Sequence, residues 1–243
     1  SPVPPANRHH ALIDVNAIQE MLLKIDCAGA SPVTRLASRL LALTAQRPGM
    51  IRNMKWNEIN GIDWACDDAN AEDAMWIVPS DKIKQELHRR ADQGFEHPVP
   101  LSRQAVEALR AVRRRTGGGP YVFPGARSSH VPMSENAIGY LYNREEYRGI
   151  HVPHGWRSSF STIMNEQVER EAGQDSRVYG DRIVIDLMLA HTPKGMSSVE
   201  FRYNRAAYMP RRRELTQVWA DKIMVNALPA SQIILSPSRK LRT

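Results

Sequence analysis

The chain has 243 residues, 42% of them hydrophobic, which is enough for one large domain or two small ones with a buried core. Its 33 Lys and Arg residues outnumber its 26 Asp and Glu residues, and the formal net charge of +7 favours a polyanionic partner. The two cysteines form no CxxC pair, which argues against a disulfide scaffold or a zinc module, and no stretch approaches the roughly 18 apolar residues of a membrane span. We therefore expect a soluble protein of a reducing, intracellular compartment.

The predicted elements begin after a proline-rich leader. Residues 1–13 are predicted to be a linker, because three of the first five residues are proline. Apolar residues at helical spacing predict a first helix from Val15, and Ser31 followed by Pro32 marks the start of a second. Arg47 comes just after this second helix.

A small antiparallel sheet is predicted next, followed by further helices. Segments 76–79 and 98–101 are short and apolar and flank a polar, basic stretch, as expected of two strands joined by a long hairpin. Ser102 is predicted to cap a helix whose arginines, Arg110 and Arg113 among them, lie in solvent. The remaining helices are predicted near 134–143, 154–169, 181–190 and 210–223. The predicted fold class is mainly α with a small antiparallel β-sheet, an α+β fold.

The tail at 224–243 has an apolar patch at 233–235 followed by basic residues. We expect this tail to dock on a neighbouring protomer or to have no fixed structure.

Motifs of several other enzyme classes are missing from the sequence. There is no GxxxxGK[ST], no GxGxxG after a strand, no HExxH and no GxSxG. The acidic cluster at 67–73 has no basic motif paired with it and is predicted to be a solvated loop, which argues against a metal-dependent nuclease. We expect no functional role for His97. The chemistry is therefore sought in scattered basic residues.

Three basic segments supply candidate residues. Arg47 lies at a junction between two helices, and His154 and Arg157 stand three apart near a predicted helix start, where an anion is favoured. The third segment places His191 twelve residues before Tyr203 in a strongly basic stretch. Each residue alone also fits an ordinary role, as a surface arginine, a helix cap or a core tyrosine.

In this order, the segments resemble the tyrosine recombinase family, especially phage and genomic-island integrases. The motifs that carry the resemblance are LALTAQRPGM, HGWR, LAH and YNR, supported by HPVPLSRQAVEAL, YVFP and RRRELTQVWADKI. The resemblance runs from about residue 11 to 223 and implies a catalytic domain at 14–223. It implies site-specific recombination of a mobile element on double-stranded DNA, through a 3′-phosphotyrosine intermediate and without a metal or other cofactor. It also implies a homotetramer on DNA, accessory DNA-bending proteins, no membrane contact, and a cytoplasmic, nucleoid-associated location.

The resemblance also implies roles for individual residues. The implied catalytic residues are Arg47, Lys84, His154, Arg157, His191 and Tyr203, and the implied DNA contacts are Lys82, Arg89, Arg90 and Arg205.

For two of these assignments, the catalytic lysine and the nucleophilic tyrosine, the sequence offers a second candidate residue. Strand alternation would put Lys82 and Lys84 on one face, and Lys84 is preferred because the family's lysine typically follows an apolar residue. Tyr203 is preferred to Tyr208 because YNRAAY resembles the family's YNRADY, in which the first tyrosine attacks. The sequence also departs from the family at Met50, where relatives commonly have an acidic residue.

Two other functions stay open on the sequence. A type IB topoisomerase-like enzyme would use similar residues and reseal the same strand. A catalytically silent DNA-binding module would keep the fold without forming a covalent adduct.

Overall fold

The computed structural model describes residues 10–66, 71–83, 96–172, 177–191 and 208–235. The helices in these ranges are α1 (Val15–Asp26), α2 (Pro32–Thr44), α3 (Pro48–Arg52), α4 (Arg103–Thr116), α5 (Ala137–Arg144), α6 (Gly155–Ala172), α7 (Arg177–Met188), α8 (Met209–Ile223) and α9 (Ala230–Leu235). The strands are β1 (Ile59–Asn60), β2 (Met75–Val78), β3 (His97–Pro100), β4 (Pro124–Gly125) and β5 (Ser128–Pro132). The predicted fold class, mainly α with a small antiparallel β-sheet, is confirmed.

Capping side chains set the starts of two helices. Asp14 Oδ1 accepts a hydrogen bond from Ala17 N at 2.9 Å at the start of α1. Ser102 Oγ accepts one from Ala105 N at 3.2 Å at the start of α4, as the sequence predicts. Ser31 takes the predicted N-cap position of α2, but its side chain makes no capping hydrogen bond.

The larger sheet has the order β1-β2-β3 and is antiparallel. Trp76 pairs with Val99 across β2 and β3, which confirms the predicted pairing of these two strands. The connection at 84–95 lies outside the described residues. The smaller sheet consists of β4 and β5.

A buried hydrogen-bond network joins the start of α6 to the centre of the core. Trp156 Nε1 donates to the Tyr142 hydroxyl at 2.8 Å, and this hydroxyl lies 2.7 Å from Ser38 Oγ. All three side chains are almost completely buried, so α6 is tied to α5 and α2 by fully desolvated polar contacts. The network therefore fixes the start of α6, which carries Arg157 and follows directly after His154. No helix in the described ranges is long and apolar enough to cross a membrane.

Helix α9 packs against α2 and α4 of its own chain. Ile233 and Ile234 are buried there, and Arg35 Nη2 donates to the Ile233 carbonyl at 3.2 Å. Ala230 N donates to a Glu107 carboxylate oxygen at 2.8 Å. The apolar patch at 233–235 thus belongs in part to the chain's own core. Docking of the tail on a neighbouring protomer stays a prediction, and residues 236–243 lie outside the described residues.

The prediction of a solvated arginine face on α4 is wrong for two of its members. The Arg113 guanidinium lies 5.0 Å from the Trp56 ring centroid and 4.5 Å from that of Trp64. Arg110 Nη1 donates to the Asp63 carbonyl at 2.8 Å. These contacts arise because Trp56, just before β1, and the loop after β1 both pack on α4, and flat guanidinium groups stack well on indole rings.

We expect Arg39→Leu to lower the free energy of unfolding by about 3–5 kcal/mol, because it leaves the buried Asp26 carboxylate without its ion-pair partner. Urea denaturation measures the loss. The double variant Asp26→Asn/Arg39→Leu should lose less than the sum of the single variants, since no uncompensated charge is left behind. Additive losses would contradict this account of the pair.

Candidate active site

Arg47 is held at the junction of α2 and α3. Ala45 ends α2 in the left-handed conformation, with φ at 50°, and Pro48 begins α3. The Arg47 side chain is half-buried, and this burial lowers its pKa. Its Nη1 atom is buried and has no hydrogen-bond partner among the described residues. A buried guanidinium with an unsatisfied N–H is suited to bind an anion.

His154 and Arg157 lie on either side of the start of α6. His154 belongs to the turn just before the helix, so the expectation that both residues lie within one helix is corrected. Arg157 sits in the first turn and is 5% exposed. Burial and the positive charge of Arg47 lower the pKa of Arg157 to about 9, so the guanidinium keeps its charge at neutral pH.

The Arg157 guanidinium reaches across to the segment that follows α7. Its Nη2 donates to the Leu189 carbonyl at 2.6 Å and lies 2.8 Å from His191 Nε2. Its Nη1 is 3.5 Å from the Ala45 carbonyl. Arg157 therefore links the ends of α2 and α7 to the start of α6.

His191 is placed by the turn that ends α7. Ala190 adopts a left-handed conformation, with φ at 52°, and His191 N donates to the Asp186 carbonyl at 3.0 Å. His191 Nδ1 lies 3.4 Å from an Asp186 carboxylate oxygen. Burial and the charge of Arg157 lower the pKa of His191, and Asp186 acts in the opposite direction.

These residues line two neighbouring clefts. The larger, of about 660 Å³, is lined by His154, Arg157 and His191, together with hydroxyl side chains of α6. The smaller, of about 350 Å³, is lined by Arg47, His154 and Lys82. Because His154 borders both, the structure brings Arg47, His154, Arg157 and His191 to one concave region.

Lys82 takes part in a structural ion pair. Its Nζ donates to the Glu58 carboxylate and, at 2.5 Å, to the Asn53 carbonyl. Trp76 Nε1 donates to the other Glu58 oxygen at 3.1 Å. Ser80–Lys82 form a 3₁₀ turn, so Lys82 does not lie in a strand. Whether Lys82 and Lys84 share one face stays a prediction, because Lys84 lies outside the described residues. The DNA-binding role of Lys82 stays a prediction.

Several predicted site residues lie outside the described residues, and their roles stay predictions. They are Lys84, Arg89, Arg90, Tyr203 and Arg205. Tyr208 is described: it occupies the N-cap position of α8 and is 37% exposed.

Two buried polar residues that the sequence analysis missed hold the end of α7. Gln46 Nε2 donates to the Met188 carbonyl at 2.8 Å, and His97 Nε2 lies 3.2 Å from the same oxygen. Both side chains are almost completely buried. A helix-end carbonyl needs such donors when it is withdrawn from water, so these residues position the turn that carries His191. The available signal was a glutamine placed directly before Arg47 in a buried segment.

A third missed feature is the attachment of residues 10–13 to the start of α6. Leu12 N donates to His151 Nδ1 at 3.0 Å, and Ser159 Oγ donates to the Leu12 carbonyl at 2.5 Å. Burial lowers the pKa of His151 to about 4, so the imidazole is neutral and can accept this hydrogen bond at neutral pH. The end of the predicted linker is thus packed beside His154 and Arg157.

We expect Gly155→Ala to destabilise the chain by about 1–3 kcal/mol, because the added methyl group would lie 2.4 Å from the His10 carbonyl oxygen. The matched control is Gly180→Ala in α7, where a methyl group meets nothing within 4 Å and should stabilise the helix by up to about 1 kcal/mol. Equal unfolding free energies of the two variants would show that residues 10–13 do not pack on α6.

Arg47, His154, Arg157 and His191 give this concave region a basic lining, and sequence comparison identifies the family. The model of the phage integrase family matches residues 12–172. The chain therefore belongs to the phage integrase family of tyrosine recombinases, which confirms the resemblance noted in the sequence.

Three relatives show the extent of the similarity. The chain is 37% identical over 215 residues to the prophage integrase IntZ of Escherichia coli strain K12, which covers 88% of this chain and 45% of that protein. It is 32% identical over 192 residues to the prophage integrase IntS of the same strain and 31% identical over 192 residues to the integrase of Shigella phage Sf6. These two matches each cover 79% of this chain and 42% of the relative. The chain thus spans less than half the length of these curated relatives.

Proposed function

We propose that this chain cuts and rejoins double-stranded DNA at specific sites through a 3′-phosphotyrosine intermediate, as the catalytic part of a mobile-element integrase. The observation that carries this proposal is the convergence of Arg47, His154, Arg157 and His191 on one concave region. The integrase names of its relatives support the same conclusion.

The two arginines suit the charge of the transition state. Negative charge grows on the nonbridging oxygens of the phosphate during attack, and the planar donors of Arg47 and Arg157 would bind these oxygens. Arg157 and the Nη1 atom of Arg47 are buried, so water competes little for these N–H groups. His191 would add a hydrogen bond to the same oxygens.

The proposed reaction transfers a phosphoryl group twice. The Tyr203 phenol attacks phosphorus, the bond from phosphorus to the 5′ oxygen breaks, and His154 accepts the phenol proton while Lys84 protonates the leaving oxygen. A phenolate leaves more readily than an alkoxide, because the pKa of tyrosine is near 10. A 5′ hydroxyl of another strand then attacks the phosphotyrosine and releases Tyr203.

The proposed partners follow from this reaction. Exchange of strands between two DNA sites requires several protomers, and we propose a homotetramer assisted by DNA-bending proteins. Other lysines and arginines, including Lys82, Arg89, Arg90 and Arg205, would neutralise phosphates. With bacterial or phage DNA as substrate, the place of action is the cytoplasm, at the nucleoid.

Capture of the covalent intermediate tests the proposal. The chain is incubated with a pool of nicked duplexes of randomised sequence, in which the cleaved fragment diffuses away. We expect an SDS-resistant adduct that is enriched in particular DNA sequences. The released fragment should end in a free 5′ hydroxyl. Relaxation of supercoiled plasmid without sequence preference would favour a topoisomerase-like enzyme, and binding without an adduct would favour a silent DNA-binding module.

A further inference from the structure

The contact between Arg157 and His191 determines which imidazole nitrogen carries the proton. Arg157 Nη2 lies 2.8 Å from His191 Nε2, and a guanidinium can only donate. His191 Nε2 must therefore accept through its lone pair. The imidazole is then neutral, with its hydrogen on Nδ1, and this hydrogen points to the Asp186 carboxylate 3.4 Å away.

This arrangement leaves neither His191 Nε2 nor Arg157 Nη2 free to donate to a phosphate. Both hydrogens of Arg157 Nη2 are engaged, one by the Leu189 carbonyl at 2.6 Å and the other by His191. An anionic oxygen that replaces His191 as the acceptor of Arg157 would face the lone pair of His191 Nε2. Two lone pairs in contact repel each other, so a phosphate oxygen in this position requires a change in the protonation of His191.

Two protonation changes would relieve this repulsion, and Asp186 disfavours one of them. Moving the hydrogen from Nδ1 to Nε2 would leave a lone pair on Nδ1 facing the Asp186 carboxylate. The lone pair and the carboxylate would repel each other, so Asp186 disfavours this change. Adding a proton to Nε2 keeps the hydrogen on Nδ1 and places the resulting imidazolium between two anions, the carboxylate and the phosphate.

We propose that His191 takes up a proton when a phosphodiester enters the cleft, and that Asp186 is the positioning residue that makes this uptake favourable. The imidazolium then donates from Nε2 to the phosphate and from Nδ1 to Asp186. This inference rests on the proposed function only in requiring a phosphodiester in the cleft, since no cleavage is involved.

The charges around His191 favour a neutral imidazole before DNA binds. In the described part of the chain, His191 faces Arg157 from α6, Asp186 from α7 and Arg47 from the junction of α2 and α3, while His154 lines the same cleft. Burial and the two arginines lower the pKa of His191, and Asp186 raises it. A bound phosphate would offset the arginine charges and so raise the pKa of His191.

Nitrogen NMR of ¹⁵N-histidine-labelled protein tests the proposal at neutral pH. His191 is assigned by the loss of its signals in His191→Gln, and a blunt 20-base-pair duplex is titrated until the backbone amide signals stop changing. Without DNA we expect a neutral ring with its hydrogen on Nδ1, and with DNA a ring protonated on both nitrogens. A hydrogen on Nε2 in the free protein, or a neutral His191 at saturation, would overturn the proposal.

Asp186→Asn separates the positioning role from a structural one. Asparagine can still accept the Nδ1 hydrogen, so the free protein should keep the same tautomer. Without the carboxylate charge, however, the pKa of DNA-bound His191 should fall by about 1. An unchanged pKa in this variant would refute the role of Asp186.

The outcomes also separate this inference from the proposed function. If DNA leaves the amide signals of the cleft unchanged at every concentration, no phosphodiester binds there, and both proposals fail. If DNA saturates the cleft while His191 stays neutral, only the inference fails.

Discussion

Tyr203→Phe should abolish the covalent adduct with nicked DNA, lowering its rate of formation by about 10⁴-fold or more, since phenylalanine has no oxygen to attack phosphorus. DNA affinity should change little, because the arginines and histidines of the cleft are untouched. The adduct is measured on denaturing gels, and affinity by fluorescence anisotropy with an intact duplex.

Tyr208→Phe is the matched control for the nucleophile. Tyr208 is partly exposed and begins α8, and its hydroxyl caps no helix N–H group. We expect this variant to form the adduct at nearly the normal rate. Loss of the adduct in Tyr208→Phe alone would transfer the role of nucleophile to Tyr208.

Arg47→Ala is expected to slow adduct formation by about 10²- to 10³-fold, because it removes one donor to the charge that develops on the phosphate. The melting temperature should not fall, since the buried Nη1 of Arg47 has no hydrogen-bond partner among the described residues. Arg157→Ala should slow cleavage as well, but it should also lower the melting temperature, because the Leu189 carbonyl loses its donor.

A second arginine of the same region controls for charge alone. Arg52 lines the smaller cleft with Arg47, and its Nε donates to the Met133 carbonyl at 3.0 Å. Arg52→Ala should weaken DNA binding in a salt-dependent way and leave the rate at saturating DNA nearly unchanged. If Arg47→Ala and Arg52→Ala slow adduct formation by the same factor, the proposed binding of the phosphate oxygens by Arg47 is wrong.

The elements of the fold were largely predictable because their signals are local. Helical spacing of apolar residues and caps such as Ser102 act over a few positions, and the helices lie near the predicted ranges. Strand β1 was missed because its two residues, Ile59 and Asn60, are too few to show the alternation of a strand. The partner of Lys82 was missed because Glu58 lies 24 positions away and reaches it only through the packing of the sheet.

The sequence by itself determined the chemical types at the site, their order along the chain and the α+β class. Only the tertiary structure decided that Arg157 binds His191 and the Ala45 carbonyl, 34 and 112 positions away, and that Ser159 holds Leu12 across 147 positions. Hydrogen-bond partners at such separations depend on how whole helices pack, and no local pattern encodes them. For the same reason the proton on His191 is set by Arg157 and Asp186 together, which meet only when α6 and α7 lie side by side.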